Sequence, residues 1–344
     1  EGPREPGIVG EIQQGADIGR SFLMGVRATA GSLVYHNQWG GSENELYTRI
    51  TALSDLPIDG LIEVWVDGKL YQLDRDNPHE DYGWPIIGLS EERTKTEREQ
   101  IGTTTDGRDP GPVYKVTETS YQEPYGWVKF YDGNQTAADS FVVDKVATAE
   151  RPWSAADVGV GVAYAVTTFK INRTLFQGLP QVLFVCRGIR MLDRSTGETG
   201  HSQNTIVQAD ALLSGISFGG EWFYGPQSGA RLDATEVTAE ILKCKEPVPG
   251  ASEMSNAERI AAFGSTSIPR RYRSSLEVFV DRPVADVLED IISACNGRIS
   301  EVGTRYRIQV GDPAPAVASL TDADFRSTQG QSFVPFFPLA ETVN

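Results

Sequence analysis

At 344 residues the chain exceeds the roughly 250–300 residues at which one hydrophobic core stops growing, so two or more domains are expected. Its net charge of −16, from 47 acidic and 31 basic side chains, argues against nucleic-acid binding as the main task, because holding phosphates needs Lys and Arg in excess on some face; solubility is the commoner use of such charge. No apolar run approaches the roughly 18 residues that cross a bilayer, and no stretch reads as a signal peptide.

The first half reads as β. In IEVWVDGKLYQL, Ile62, Val64 and Val66 alternate with other side chains, and Asp67-Gly68 supplies a two-residue turn before a second strand. WVKFYDGNQT repeats the design, with Val128 and Phe130 ahead of Asp132-Gly133. Between them, LSEERTKTEREQIGTTTDGRDPGP is charged, then rich in Gly, Thr, Asp and Pro. It predicts a solvated loop or a short exposed helix, and an inserted subdomain around residues 90–160 would have its edge there. QVLFVCRGI is a nearly continuous apolar run, expected of a buried strand over Gln181 to Arg187, with a loop following at Asp193 to Gly200.

After about residue 200 the period changes. Ile206 to Ser214 is helix-like. In LDATEVTAEILKCKE, Asp233 and Glu236 have the spacing of a capping box, and Val237, Ile241 and Cys244 fall on one helical face. SNAERIAAF carries the same box at Ser255 and Glu258. PVADVLEDIISACNG keeps apolar residues at i, i+3 and i+4 for three turns, with Pro283 to start it and Gly297 to stop it. Its Val284, Leu288, Ile291 and Cys295 face is expected to pack on the hairpin 298–311, which turns near Gly303. The expected fold is therefore mainly β with an α+β second half. The expected organisation is β-rich over 1–200, α+β over 201–330, and a linker over 331–344. The ends, EGPREPG and FFPLAETVN, do not read as natural termini and suggest an excerpt of a longer protein.

Few residue sets here could carry chemistry. Cys186, Cys244 and Cys295 are odd in number and widely spaced, each in an apolar stretch, which points to reduced, buried thiols. Gly215 to Gly219 matches G-x-S-x-G, but a hydrolase elbow needs a strand before Ser217 and a helix after it, and here a helix-like segment precedes it. His36, His79 and His201 have no paired-ligand spacing and read as surface or turn residues. DRDNPHEDYG, residues 74–83, gathers four acids and a His without EF-hand spacing, and reads as a solvated loop in preference to a Ca²⁺ site. Asn134 and Asn172 open glycosylation sequons. The six Trp, twelve Tyr and fourteen Phe suit either a sugar-binding surface or ordinary cores. No cofactor is implied.

The segment GLPQVLFVCRGIRMLDRSTGE, Gly178 to Glu198, resembles a signature of the tail-tip attachment, or central hub, proteins of lambda-like siphophages and gene-transfer particles. There a Gly-Leu-Pro turn enters a hydrophobic strand, followed by a basic Gly-containing turn and an Asp-Arg-x-Thr-Gly loop. Gly178, Leu179, Pro180, Gly188, Asp193, Arg194, Thr196 and Gly197 stand in those places. Further blocks are similar and keep the family's order: GADIGRSFLMGVRATAGSLVYHNQWG, LSDLPIDGLIEVWVDGK, VKFYDGNQTAADS, RYRSSLEVF, PVADVLEDIISACNGRI, RYRIQVGDPAPAVASLTDADF and QSFVPFFPLAETVN. Two departures are Asn204-Thr205, where the family often has Asn-Pro, and Ser274-Ser275, where it has a Gly.

The resemblance implies a structural virion protein, not an enzyme. Its hub-type β-barrel or sandwich domains, two per chain, would form a homotrimeric, pseudo-sixfold ring that closes the distal end of a tail tube. It would bind tail-tube ring proteins, the tape-measure protein and receptor-binding or fibre proteins. DNA would meet it only in passage, on ejection. Other readings are a tail-associated hydrolase of cell wall or surface esters, and a glycan-binding module.

Overall fold

The computed structural model describes residues 19–41, 45–103, 112–171, 176, 178–229, 232–303, 305–311 and 321. The chain divides into two compact units, Glu1–Gly311 and Asp312–Asn344. All of the second but residue 321 lies outside the described residues, and so do the expected linker at 331–344 and the sequon at Asn172.

In chain order the first unit contains β1 (Ser21–Met24), β2 (Val26–Thr29), β3 (Ser32–Trp39), β4 (Leu46–Ser54), β5 (Gly60–Val66), β6 (Lys69–Tyr71), β7 (Trp84–Pro85), β8 (Ser90–Thr103), β9 (Pro112–Pro124) and β10 (Gly126–Tyr131). A π-helical turn at Val142–Val146 follows, then β11 (Ala163–Lys170), β12 (Val182–Arg187), β13 (Met191–Asp193) and β14 (Glu198–Gly200). The α+β part comprises α1 (Thr205–Ser214), β15 (Ile216–Phe218), β16 (Glu221–Tyr224), α2 (Ala234–Lys245), α3 (Asn256–Phe263), β17 (Leu276–Phe279), α4 (Val284–Ser293), β18 (Arg298–Val302) and β19 (Arg305–Gln309).

The fold is mainly β, as the patterning predicts, with helices confined to the second half apart from the π turn. A five-stranded antiparallel sheet has the order β3-β4-β11-β10-β7, and a four-stranded sheet the order β2-β12-β5-β6. Among the described residues neither closes into a barrel, so the barrel alternative is corrected to open sheets. The period-two alternation of β11 explains the layering. Ala163, Ala165 and Phe169 enter a large core shared with Val64, Val66, Val182 and Phe184 of the four-stranded sheet. Tyr164 and Val166 point the other way, under a second core closed by Phe141, Val142 and Val146 of the π turn.

The large core continues through Phe22, Leu23 and Met24 into Ile206, Leu212, Ile241, Ile291 and Val310. Each fully buried side chain of this size contributes about 1.5–3 kcal/mol. The start of the unit is tied to its end by β1–β17, in the register Ser21↔Phe279 to Met24↔Leu276.

Several local expectations hold. Asp67 (φ 48°) and Gly68 (φ 77°) both take left-handed backbone in the β5–β6 turn. Ser255 and Glu258 form a reciprocal capping box on α3. Asp233 caps α2 by accepting from Thr235 and Glu236 N–H, while the Glu236 side chain pairs with Arg307 instead of completing the box. Asn204 caps α1, accepting from Ile206 and Val207 N–H, so Thr205 occupies the first helical position, where Pro is also suited because no intrahelical bond needs its N–H. At the other departure, the Ser275 hydroxyl accepts from Val26 N–H and the Ser274 hydroxyl donates to Gln208.

Others are corrected. The segment 89–112, expected as loop or helix, is mostly strand: β8 pairs along its length with β9 in an antiparallel ribbon. The β-favouring Thr94 and Thr96 of β8, together with Val113, Tyr114, Val116, Thr117, Thr119 and Tyr121 of β9, outweigh the helix-forming charges. Asp132-Gly133 ends β10 without making a hairpin, because Asn134 onward offers no strand and β10 pairs with β7 and β11. Asp193 to Gly200 is a tight hairpin of β13 and β14, not an open loop. Helix α4 packs chiefly on α1, with Val287, Ile291 and Ile292 buried and Leu288 only partly so. Its left-handed terminator is Asn296 (φ 48°), one residue before the expected Gly297.

Candidate functional site

The residues singled out by the signature lie before, within and after the passage around β12. That strand is central in its sheet, with β2 on one side and β5 on the other, which is why its run of apolar side chains is buried. Gly178 and Leu179 are exposed at the entry, whereas Pro180 is buried. The Pro180 carbonyl accepts a 3.1 Å hydrogen bond from Nη1 of Arg49 in β4, so it links the two sheets. Arg49 is itself buried. Its Nε donates to Thr167 Oγ1 at 3.3 Å, its Nη2 has no partner among the described residues, and burial lowers its pKa against the opposing pull of Tyr47 and Asp67.

At the exit Gly188 makes a close backbone crossing. Its N–H donates to Gly25 O at 2.7 Å and its carbonyl accepts from Asp59 N–H at 3.0 Å. A Cβ there would sit 2.2 Å from the Leu23 carbonyl oxygen, so only Gly fits.

The turn 194–197 then carries two ionic clamps onto the helices. Asp193 accepts from Ser195 N–H and Oγ–H, and its other oxygen lies 2.6 Å from Lys245 Nζ at the end of α2. Burial would raise its carboxyl, but the bonds from Lys245 and Ser195 outweigh this and hold it below the ordinary Asp value. Arg194 grips Asp210 of α1 with two hydrogen bonds, which raises the Arg194 pKa. Thr196 Oγ1 accepts from Glu198 N–H, and Gly197 takes φ 76°. The arrangement is a mechanical joint between the sheet and the helices. Glycine spacing and Asp-Arg-x-Thr-Gly mark it in the sequence; Arg49, Asp210 and Lys245 carry no local signal and are found only through their contacts.

Ser217 sits in the middle of β15, after α1 and before a hairpin turn into β16, so the strand–Ser–helix order of a nucleophile elbow is not met. It lines a cleft of about 280 Å³ with Asp59, Asp132 and Arg190. Asp59 is engaged by His201 Nδ1 at 2.9 Å and Arg190 Nε at 3.7 Å, and among the described residues no base is hydrogen-bonded to Ser217.

His36 belongs to β3 and is no turn residue; burial, then Arg151, lowers its pKa. Of the acids of 74–83, Asp74 accepts from Asp76 and Asn77 N–H and Asp81 pairs with Lys145, and among the described residues no cluster of acids, His or Cys is placed to hold a metal. Cys186, Cys244 and Cys295 are buried free thiols, and burial raises the Cys186 pKa. No described helix is long and apolar enough to cross a membrane.

The ribbon β8–β9 is the most exposed feature. From Glu92 to Gln122 its described side chains are exposed on both faces, including Ile101, Tyr114, Val116 and Tyr121.

No protein-family model matches the chain, and no curated protein matches it. Among solved structures it is similar to a chain from the virion of a native gene transfer agent particle, at 15% identity and a TM-score of 0.42. The alignment covers 91% of this chain and 57% of that one.

Proposed function

We propose that the chain is a structural virion protein: three copies form the hub that closes the distal end of a phage-like tail tube, carries the receptor-binding parts and opens for DNA ejection. The observation that carries this reading is the ribbon. A two-stranded ribbon is marginal in water by itself, and one with exposed Val, Ile and Tyr side chains and open outer edges calls for neighbours to cover it. An assembly protein supplies those neighbours.

The signature residues fit the same reading as structural parts, since Gly188 permits a backbone crossing while Asp193 and Arg194 lock sheet to helices. In the proposal, regions 1–200 and 201–330 are the two hub modules of each copy, and their pseudo-sixfold ring matches a hexameric tube. The partners are the distal tail and tail-tube ring proteins, the tape-measure protein and receptor-binding or fibre proteins, with DNA touched only in passage. The location is the tip of the tail.

Counting copies in purified particles by labelled-peptide mass spectrometry tests this: three per tail tip are expected, and one or six overturn the trimeric hub. Esterase or peptidase turnover that disappears in Ser217→Ala would overturn the non-enzymatic reading.

A further inference from the structure

At the foot of the ribbon lies a cleft of about 580 Å³, bounded by the turn after β6, the β7–β8 connection and the first residue pairs of the ribbon. Its volume falls within the roughly 300–1,000 Å³ usual for small-molecule sites. Pro85, Ile87 and the indole of Trp127 give it apolar walls.

Its polar groups are few and held in place. Trp127 is 7% exposed, yet its indole N–H has no hydrogen-bond partner among the described residues and is not sealed from solvent. His79 is fixed by stacking on Tyr82 at 4.1 Å, with 5° between the rings. Its Nδ1 accepts from Asp81 N–H at 3.1 Å and Tyr82 N–H at 3.3 Å, which leaves Nε2–H as the free donor. Gln122 spends its oxygen on Ser90 Oγ at 3.0 Å, so its NH₂ group is free to donate. The Asp74 carboxylate, already held by its own turn, adds acceptor capacity.

We propose that this cleft binds a neutral saccharide. Sugar rings present C–H faces that suit the Pro, Ile and Trp walls, and hydroxyls that both donate and accept, as the free N–H groups and the carboxylate require. The same groups disfavour other ligands. No Lys or Arg is among the described lining residues, and Asp74 repels anions. A wholly apolar ligand would bury the Trp127 and His79 donors unpaired, which costs it the desolvation of both groups. A peptide strand finds no free edge, because the outer side of β7 is already bonded through Asp74 N–H to Pro85 O and Ile87 N–H to Gln72 O, both at 2.9 Å. The proposal stands independently of the hub reading.

The test uses the full 344-residue chain on an array of neutral and charged oligosaccharides, with proline-rich peptides as controls. Titration of the strongest neutral binder, followed by tryptophan fluorescence and saturation-transfer NMR, gives the affinity. His79→Leu and Gln122→Leu change exposed rim residues and should each weaken binding about tenfold or more, equal to 1.4 kcal/mol, with the thermal midpoint of Gln122→Leu unchanged. Trp127→Phe keeps an aromatic but smaller ring, removes the N–H and should weaken binding likewise. Absence of neutral glycan binding, a preference for charged glycans or for the peptides, or binding untouched by the two rim variants would overturn the proposal.

Discussion

Arg194 and Asp210 are joined side by side: Nε lies 2.6 Å from Oδ2 and Nη2 lies 3.1 Å from Oδ1, with the carboxylate 4% exposed. A two-bonded guanidinium fixes both distance and orientation, so this pair sets how the 194–197 turn meets α1. The charge is almost wholly withdrawn from water, and losing one partner is costlier than losing both. Arg194→Ala should lower the unfolding free energy by about 3–5 kcal/mol. Arg194→Lys should restore only part, because a lysine cannot form the paired contact. The double variant Arg194→Leu/Asp210→Leu should be more stable than Arg194→Leu alone. Urea unfolding decides; a loss under about 0.5 kcal/mol, the scale of ordinary surface changes, would mean that the carboxylate is hydrated.

The neighbouring clamp predicts a pH dependence. Asp193 is held below the ordinary value in the folded state, by bonds from Lys245 and Ser195 that outweigh its burial. Folding therefore favours the ionised form. The stabilisation is complete above the unfolded value of about 3.9 and is lost as pH falls through the folded value. The stability difference between the wild type and Asp193→Asn should be present at neutral pH and shrink below about pH 4. A difference that stays constant on acidification would remove the clamp from the explanation.

Two signature glycines should respond differently to alanine. At Gly188 the obstacle is backbone: Leu23 O and C would lie 2.2 and 2.5 Å from the new Cβ, so β1 or β12 must shift. Overpacking of this kind costs about 1–3 kcal/mol or more. At Gly197 nothing lies within 4 Å, and the cost comes from φ 76° alone, about 1–2 kcal/mol. Gly197→Asn should recover part of that loss, since Asn tolerates left-handed backbone, while Gly188→Asn should be worse than Gly188→Ala. Denaturation of the four variants checks this; equal behaviour at the two positions would refute the distinction.

What was legible in the sequence is what neighbours along the chain decide. The run Val182 to Cys186 reads as a buried strand because burial on both faces demands apolar residues throughout. Ser255 and Glu258 read as a cap because their hydrogen bonds span three residues. Asp67-Gly68 and Asp132-Gly133 show the limit. The dipeptides are identical, but only the first is followed by a strand that pairs back, and Gly133 instead packs against Pro57. The ribbon escaped notice because both its faces meet water, so no apolar alternation marks it. Arg49 with Pro180 and Asp193 with Lys245 are joined across long loops, and the cleft beside Trp127 draws on three separate segments. Such contacts leave no trace in spacing.

The ribbon gives the last prediction. Its foot is tied to the body, with Tyr125 Oη donating to Glu91 at 2.8 Å and accepting from Arg93 at 2.8 Å. Beyond Arg93↔Tyr121 the strands pair with each other, and among the described residues none of their side chains belongs to either core. Replacing residues 94–120 by Asn-Gly, a dipeptide suited to a tight turn, should therefore leave the stability of the body within about 0.5 kcal/mol of the wild type. Amides of the intact ribbon should exchange fastest in the isolated chain and become protected in the assembled particle. The shortened chain should fold but fail to incorporate into particles. If it unfolds, the ribbon belongs to the fold; if it assembles normally, the contacts that build the particle lie elsewhere on the surface.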